Sequence, residues 1–118
     1  MSAESTLYAW LAADAGVAAL VAGRIYPDVI PPDVALPAIA YARLSTEPVT
    51  TVHGAMPAQF VNLQVQCWAA TRTSAEAVAD AVQAALLVNG EVPAGRGQLF
   101  DEESGNFGGA VDVRLFVT

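Results

Sequence analysis

The stretch FVNLQVQCWAATRTSAEAVADAVQAALLVNG, Phe60–Gly90, changes its hydrophobic period once, and that change decides the fold. Over Phe60–Trp68 the period is two. Val61, Leu63, Val65 and Cys67 fall on one side, and Asn62, Gln64 and Gln66 on the other. That alternation fits a strand with one dry face and one wetter face. From Thr73 the period is helical. Ala75, Val78, Ala79, Val82 and Leu86 form an apolar stripe, with Glu76, Asp80, Gln83 and the misplaced Leu87 on the far side. Thr73 with Glu76 predicts a capping box, and Asn89–Gly90 predicts the stop. A half-buried strand feeding a helix with a single stripe requires helices laid on a sheet.

The flanking segments extend this pattern. Pro37–Leu44 reads as a strand in which Ile39 and Tyr41 alternate with Ala38, Ala40 and Ala42. The small alanine side predicts another layer close against it, a helix being the expected one. Glu47–Pro57, punctuated by Pro48, Gly54 and Pro57, reads as a loop or a long hairpin tip. Upstream, Pro31, Pro32 and Pro37 predict an extended connector. Ser2 and Asp14 predict the caps of two short helices. The second runs over Ala15–Ala22, with Val17, Leu20 and Val21 buried and Gly23 as a left-handed stop. Beyond the long helix, Gln98–Glu102 predicts a strand, Gly105–Gly109 a turn, and Gly109–Val117 a second clear strand. In that strand Val111, Val113, Leu115 and Val117 oppose Asp112, Arg114 and Phe116. The expectation is one α+β domain over residues 1–118. Its antiparallel sheet has about four strands in two hairpins, with the long helix and the N-terminal helices on one face.

Composition narrows the function. The chain has 118 residues and a formal charge of −7, from 12 acidic and 5 basic residues, all five of them Arg. Twenty-four residues are Ala, and only 14% are charged, against roughly 25% in ordinary soluble domains. Disorder is excluded by the apolar content, and a disulfide scaffold by the single cysteine, Cys67. No apolar run reaches membrane-spanning length, and Met1–Trp10 lacks the pattern of a secretory signal. Five scattered Arg residues give no nucleic-acid footprint. So few charged residues on so apolar a chain predict surface that neighbouring subunits cover.

Reactive residues are few. Cys67 and His53 form a conceivable nucleophilic pair of a small enzyme or ligand-binding module. Cys67, however, falls on the dry side of its strand and His53 in the Glu47–Pro57 segment, which predicts a core thiol and a surface imidazole. Zinc needs three or four ligands. Asp101, Glu102 and Glu103 lack the spacing of a calcium loop and read as a solvated turn. The glycines at 95–97 and 105–109 precede no helix, so they serve turns rather than a phosphate. Trp10 and Trp68 read as packing anchors. No catalytic residue, cofactor or metal is expected.

Three segments carry a resemblance: LAADAGVAALVAGRIYP (Leu11–Pro27), LPAIAYARLS (Leu36–Ser45) and VNLQVQCWA (Val61–Ala69), the last followed by a capped, Ala-rich helix. Together they resemble the tail completion or tail terminator proteins of long-tailed bacteriophages, over nearly the whole chain. The resemblance implies a structural virion protein of the tail or neck, assembled in the bacterial cytoplasm, with no active site. Such proteins form a ring, typically a hexamer, on the head-proximal end of the tail tube. The ring ends tube polymerisation and joins the head connector. Related head-closure and connector subunits have similar sizes and roles. The implied partners are further copies of the chain, the tail tube protein and a head-completion or connector protein. DNA passes through the lumen without specific binding, and no membrane is involved. On this reading Val49, Val52, His53 and Met56 are candidate ring-to-ring contacts on a projecting hairpin, the alternative being a plain surface loop. Asp101, Glu102, Glu103 and Asp112 are candidate lumen residues, since an acidic wall does not hold phosphates. Arg24 is the candidate for an inter-subunit ion pair, an intramolecular pair being the alternative.

Overall fold

The alternating segment becomes the middle of a sheet. The computed structural model describes residues 3–51 and 54–117. Two helices come first, α1 (Ala3–Ala13) and α2 (Ala15–Val21), followed by the strands β1 (Ile25–Pro27), β2 (Ala38–Thr51) and β3 (Gly54–Ala69). Helix α3 (Arg72–Val88) and the hairpin β4 (Gly95–Asp101) and β5 (Asn106–Val117) complete the order. The sheet runs β1-β2-β3-β5-β4. The α+β class holds, but the sheet has five strands and is mixed. β1 lies parallel to β2, with Ile25 opposite Ile39 and Pro27 opposite Tyr41, while the other neighbours pair antiparallel. Three residues are too few for a period to show in sequence.

One face of the sheet carries the core. Val61, Leu63, Val65 and Cys67 of β3, Val111, Val113 and Leu115 of β5, and Ile39 of β2 are buried there. Their cover is Leu7 and Leu11 of α1, Val17 and Val21 of α2, and the stripe Val78, Ala79, Val82 and Leu86 of α3. The close approach of α3 has a specific cause. A Cβ on Gly109 would lie 3.1 Å from Ala79 Cβ and 3.4 Å from the Ala75 carbonyl oxygen. Small residues on both layers therefore let the helix settle onto β5. Gly109 lies in the strand as read, while Asn106 and Gly108 also belong to it, correcting their placement in a turn. The turn is Glu102–Gly105, where Gly105 takes φ +74°, a conformation glycine adopts without strain.

The expected helix on the alanine side of β2 is absent there. Ala38 stands opposite Trp68 and Ala40 opposite Gln66, so these alanines share the face away from the helices. Ile39 and Tyr41 point to the helix side, where the Tyr41 ring lies 6.2 Å from that of Tyr8 in α1. On that side Ala40 lines a cleft together with the proline-rich segment 28–36.

The caps also shift. The N-cap of α3 is Thr71, whose hydroxyl accepts the Ser74 N–H at 3.1 Å, and Thr73 lies inside the helix. β3 ends at Ala69, so the chain turns into the helix two residues earlier than the sequence motif implies. Glu76, freed from capping, pairs with Arg72 and Arg96. Asp14 caps α2 as expected, accepting the Val17 N–H at 3.0 Å. Gly23 takes the expected left-handed conformation (φ 80°), and Ala22 just before it is left-handed as well (φ 49°). With seven residues, α2 buries only Val17 and Val21, and Leu20 stays 36% exposed. Ser2, the expected cap of α1, lies outside the described residues. No helix among the described residues is long and apolar enough to cross a membrane.

Candidate assembly surface

The face opposite the helices is where period two places β3's polar residues. Side chains two apart along a strand stand about 7 Å apart, within reach of glutamine amides. Trp68 Nε1 donates to Gln66 Oε1 (3.2 Å), Gln66 Nε2 to Gln64 Oε1 (3.0 Å), and Gln64 Nε2 to Asp112 Oδ1 on β5 (3.2 Å). The ladder continues as a second cluster. Asn62 Nδ2 donates to Ser45 Oγ (2.9 Å) and to Glu47 Oε1 (3.2 Å), and Arg114 Nη2 donates to Glu47 Oε2 (2.6 Å). A register shift between Arg43 and Ser45 turns Ser45 and Glu47 toward this face. The Arg114 guanidinium lies 4.1 Å from the Phe60 ring centre, and Phe60 and Phe116 stand 5.2 Å apart. Every link is polar or half-exposed, so the face is braced without being part of the core.

At one end the sheet narrows to an arm. β1 stops opposite Tyr41 and β5 stops opposite Gln59. Among the described residues β2 and β3 continue alone, through Pro48 opposite Gln59 to Thr51 opposite Gly54. The Glu47–Pro57 segment is thus a hairpin rather than a loop. Val49 lies on β2 and Met56 on β3, and Val52 and His53 lie outside the described residues. Pro48 and Pro57 remove backbone donors from the ribbon, which protects it from edge-to-edge pairing. Residues 48–71 contain no Asp, Glu, Lys or Arg.

The four candidate lumen carboxylates are not brought together. Asp101 organises the β4–β5 turn, accepting from the Glu103 N–H (3.1 Å) and the Ser104 hydroxyl (2.9 Å). Glu102 and Glu103 are exposed in that turn. Asp112 sits at the other end of the same hairpin, opposite Gly95, and belongs to the glutamine ladder. The Asp101 end borders a cleft of about 610 Å³ between the proline-rich segment and the sheet, with Ala40, Gln66 and Trp68 also in its wall. Arg24 donates through Nε to the Pro37 carbonyl at 3.0 Å. Among the described residues it makes no ion pair, whereas Arg43, Arg72, Arg96 and Arg114 each do.

Cys67 is fully buried, and burial pushes its thiol up to about 12. A thiol held protonated is a poor nucleophile, which leaves it as a core residue. His53, its conceivable partner, lies outside the described residues.

Residues 5–118 match the family described as Tail completion protein gp17. The chain belongs to this tail completion family. It is a structural tail protein of a phage-type virion. No curated protein matches it. Among solved structures it is similar to a chain of "Virion of native gene transfer agent (GTA) particle", with a TM-score of 0.81 and 22% identity, covering 96% of this chain and 92% of that one. That likeness shows a shared fold.

Two features of this family member escape sequence reasoning. One is the clamp on Arg96 of β4, which reaches Glu76, Asp80 and Gln83 of α3 and ties the sheet edge to the helix. The far-side spacing of those three residues is visible in the sequence, but their partner is not. The other is the glutamine ladder, whose only signal is the alternation of Gln64, Gln66 and Trp68.

Proposed function

We propose that the chain is a ring subunit that caps the head-proximal end of the tail tube, ends its polymerisation and presents the surface that joins the head. The reading rests on family membership together with one structural observation. A braced, uncovered polar face and an uncharged arm extend from a body whose own core is already satisfied. Six copies are the proposed ring, with the tail tube protein below and a connector or head-completion protein above. The polar face supplies the lumen wall, where Asp112 keeps phosphates from adhering. Asp101, Glu102 and Glu103 sit at its rim. Val49, Val52, His53 and Met56 make the arm the contact that reaches beyond the subunit. Arg24, the cation without a carboxylate among the described residues, is the proposed donor to a neighbouring subunit.

The test is tube growth in vitro. Added in substoichiometric amounts to polymerising tail tube protein, the chain should stop elongation and bind at one end of each tube. Tubes that grow to the same length with and without it would refute the role. Binding to isolated head connectors but not to tubes would move the ring to the head side.

A further inference from the structure

The cleft and the arm lie at opposite ends of an elongated molecule. β3 runs from Gly54 in the arm to Trp68 in the cleft wall, roughly 45 Å at about 3.3 Å per residue, in a body whose extents are 51 × 29 × 22 Å. One copy therefore cannot place its own arm in its own cleft.

The lining of the cleft combines apolar side chains with three carboxylates and the polar Gln66, Ser104 and Asn106. Val29, Ile30 and Val34 come from the proline-rich segment, which is anchored to β2 by the Asp28 N–H donating to the Tyr41 carbonyl at 2.7 Å. Trp68 lies against the sheet side. Val29 is 72% exposed, an apolar side chain left in water. Asp28, Asp33 and Asp101 are among its lining residues, and among the described residues none of them takes part in an ion pair. Any occupant must bring apolar surface and must not bring carboxylates, because like charges brought together without partners repel.

Within a chain of charge −7 that condition is restrictive. α1 carries Glu4, α2 is capped by Asp14, α3 carries Glu76 and Asp80, the following loop carries Glu91, and the β4–β5 turn carries Glu102 and Glu103. The arm is the projecting element without an acid, and its one titratable side chain is His53, whose protonated form complements the carboxylates of the cleft lining. We infer that this cleft, lined by apolar side chains and unpaired carboxylates, seats the β2–β3 arm of a second copy of this chain. The contact is head-to-tail, so each subunit gives an arm and receives one. A heterologous contact of this kind closes into a ring when the rotation allows. In a closed ring no arm or cleft is left open, which suits a component that stops growth. The inference rests on the ring reading above, and it places the arm's contact within the ring rather than on the adjoining one.

Disulfide trapping on tail tubes tests it. Val29→Cys and Val49→Cys are introduced together, the native thiol being buried, and the tube-bound protein is oxidised. The expected result is a ladder of cross-linked multimers ending at the closed ring, with no ladder from either single variant. A cross-link from the thiol of the Val49→Cys variant to the tube or connector protein would overturn the inference and make the arm a ring-to-ring contact. A capped tube without any ladder would also overturn it. Mixing gives a second readout. Val29→Asp, with a spoiled cleft, and Val49→Asp, with a spoiled arm, share one good contact and should join as a dimer and nothing larger. If the two do not join while the wild-type chain forms rings, the arm–cleft contact falls and the ring stands. If the wild-type chain forms no ring on tubes, the ring reading itself falls.

Discussion

The two faces of the sheet are built from the same strands and do different work. Toward the helices, Leu63 and its neighbours are sealed, and α3 sits so near β5 that a methyl group on Gly109 would press against Ala79 at 3.1 Å. Away from the helices, Gln64 is one residue along the same strand and half-buried in a polar ladder. The lesson is that stability is concentrated on one face, which leaves the other free to be specified by assembly. A surface that must later meet neighbours can be braced by side-chain hydrogen bonds without being committed to the core.

Mutations separate the two faces. Leu63→Ala should cost the most, about 2–5 kcal/mol in denaturant unfolding, because it leaves a cavity under α3. Gln64→Ala, on the bare face, should cost about 1 kcal/mol or less. Equal costs would erase the distinction between faces. Gly109→Val should cost about 1–3 kcal/mol by forcing the helix off the strand. Thr71→Ala should lose about 1 kcal/mol of thermal stability as a lost cap, with Thr73→Ala close to neutral, and the reverse order would restore the capping box. At the small end, Glu47→Gln should change stability by less than about 1 kcal/mol, since the pair with Arg114 is exposed.

A pH profile probes the same contrast. Burial raises the Cys67 thiol from its ordinary value near 9 to about 12. The folded state therefore holds this proton where the unfolded state releases it. The stabilising contribution is complete below about pH 9 and is lost as pH rises toward 12. Melting curves of wild type and Cys67→Ala should converge across that range, and native Cys67 should resist thiol reagents at neutral pH. At the acid end Glu4, hydrogen-bonded to Arg43, is held below the ordinary carboxyl value. Its exposed pair adds a small stability above that value, lost as pH falls through it.

Much of this was legible in the sequence wherever a period was long enough to declare itself. The alternation over Phe60–Trp68, the α3 stripe and the Val111–Val117 face all appear in the fold as read. β1 was not legible, because three residues carry no period and its parallel partner lies across a proline-rich connector. The alanines of β2 signalled a helix that is not there, because composition does not say what lies across a strand from small side chains; Ala40 faces the cleft it shares with segment 28–36. The capping motif misled because Thr71 and Thr73 are both competent caps, and where β3 ends chooses between them. For the assembly surface, the uncharged run 48–71 stands in the sequence but gains meaning only once β2 and β3 are seen to form the arm. The cleft was not legible, since its walls come from segments 28–36, 38–42, 66–68 and 101–106, which only the topology brings together.

If a fixed ring of this chain closes one end of the tail tube, the number of bound copies does not depend on how long the tube is. Mass measurement on tubes of several lengths, each saturated with the protein, gives that number. Six copies are expected on every tube, short or long. A bound amount that grows with tube length, or no binding at all, would contradict the ring.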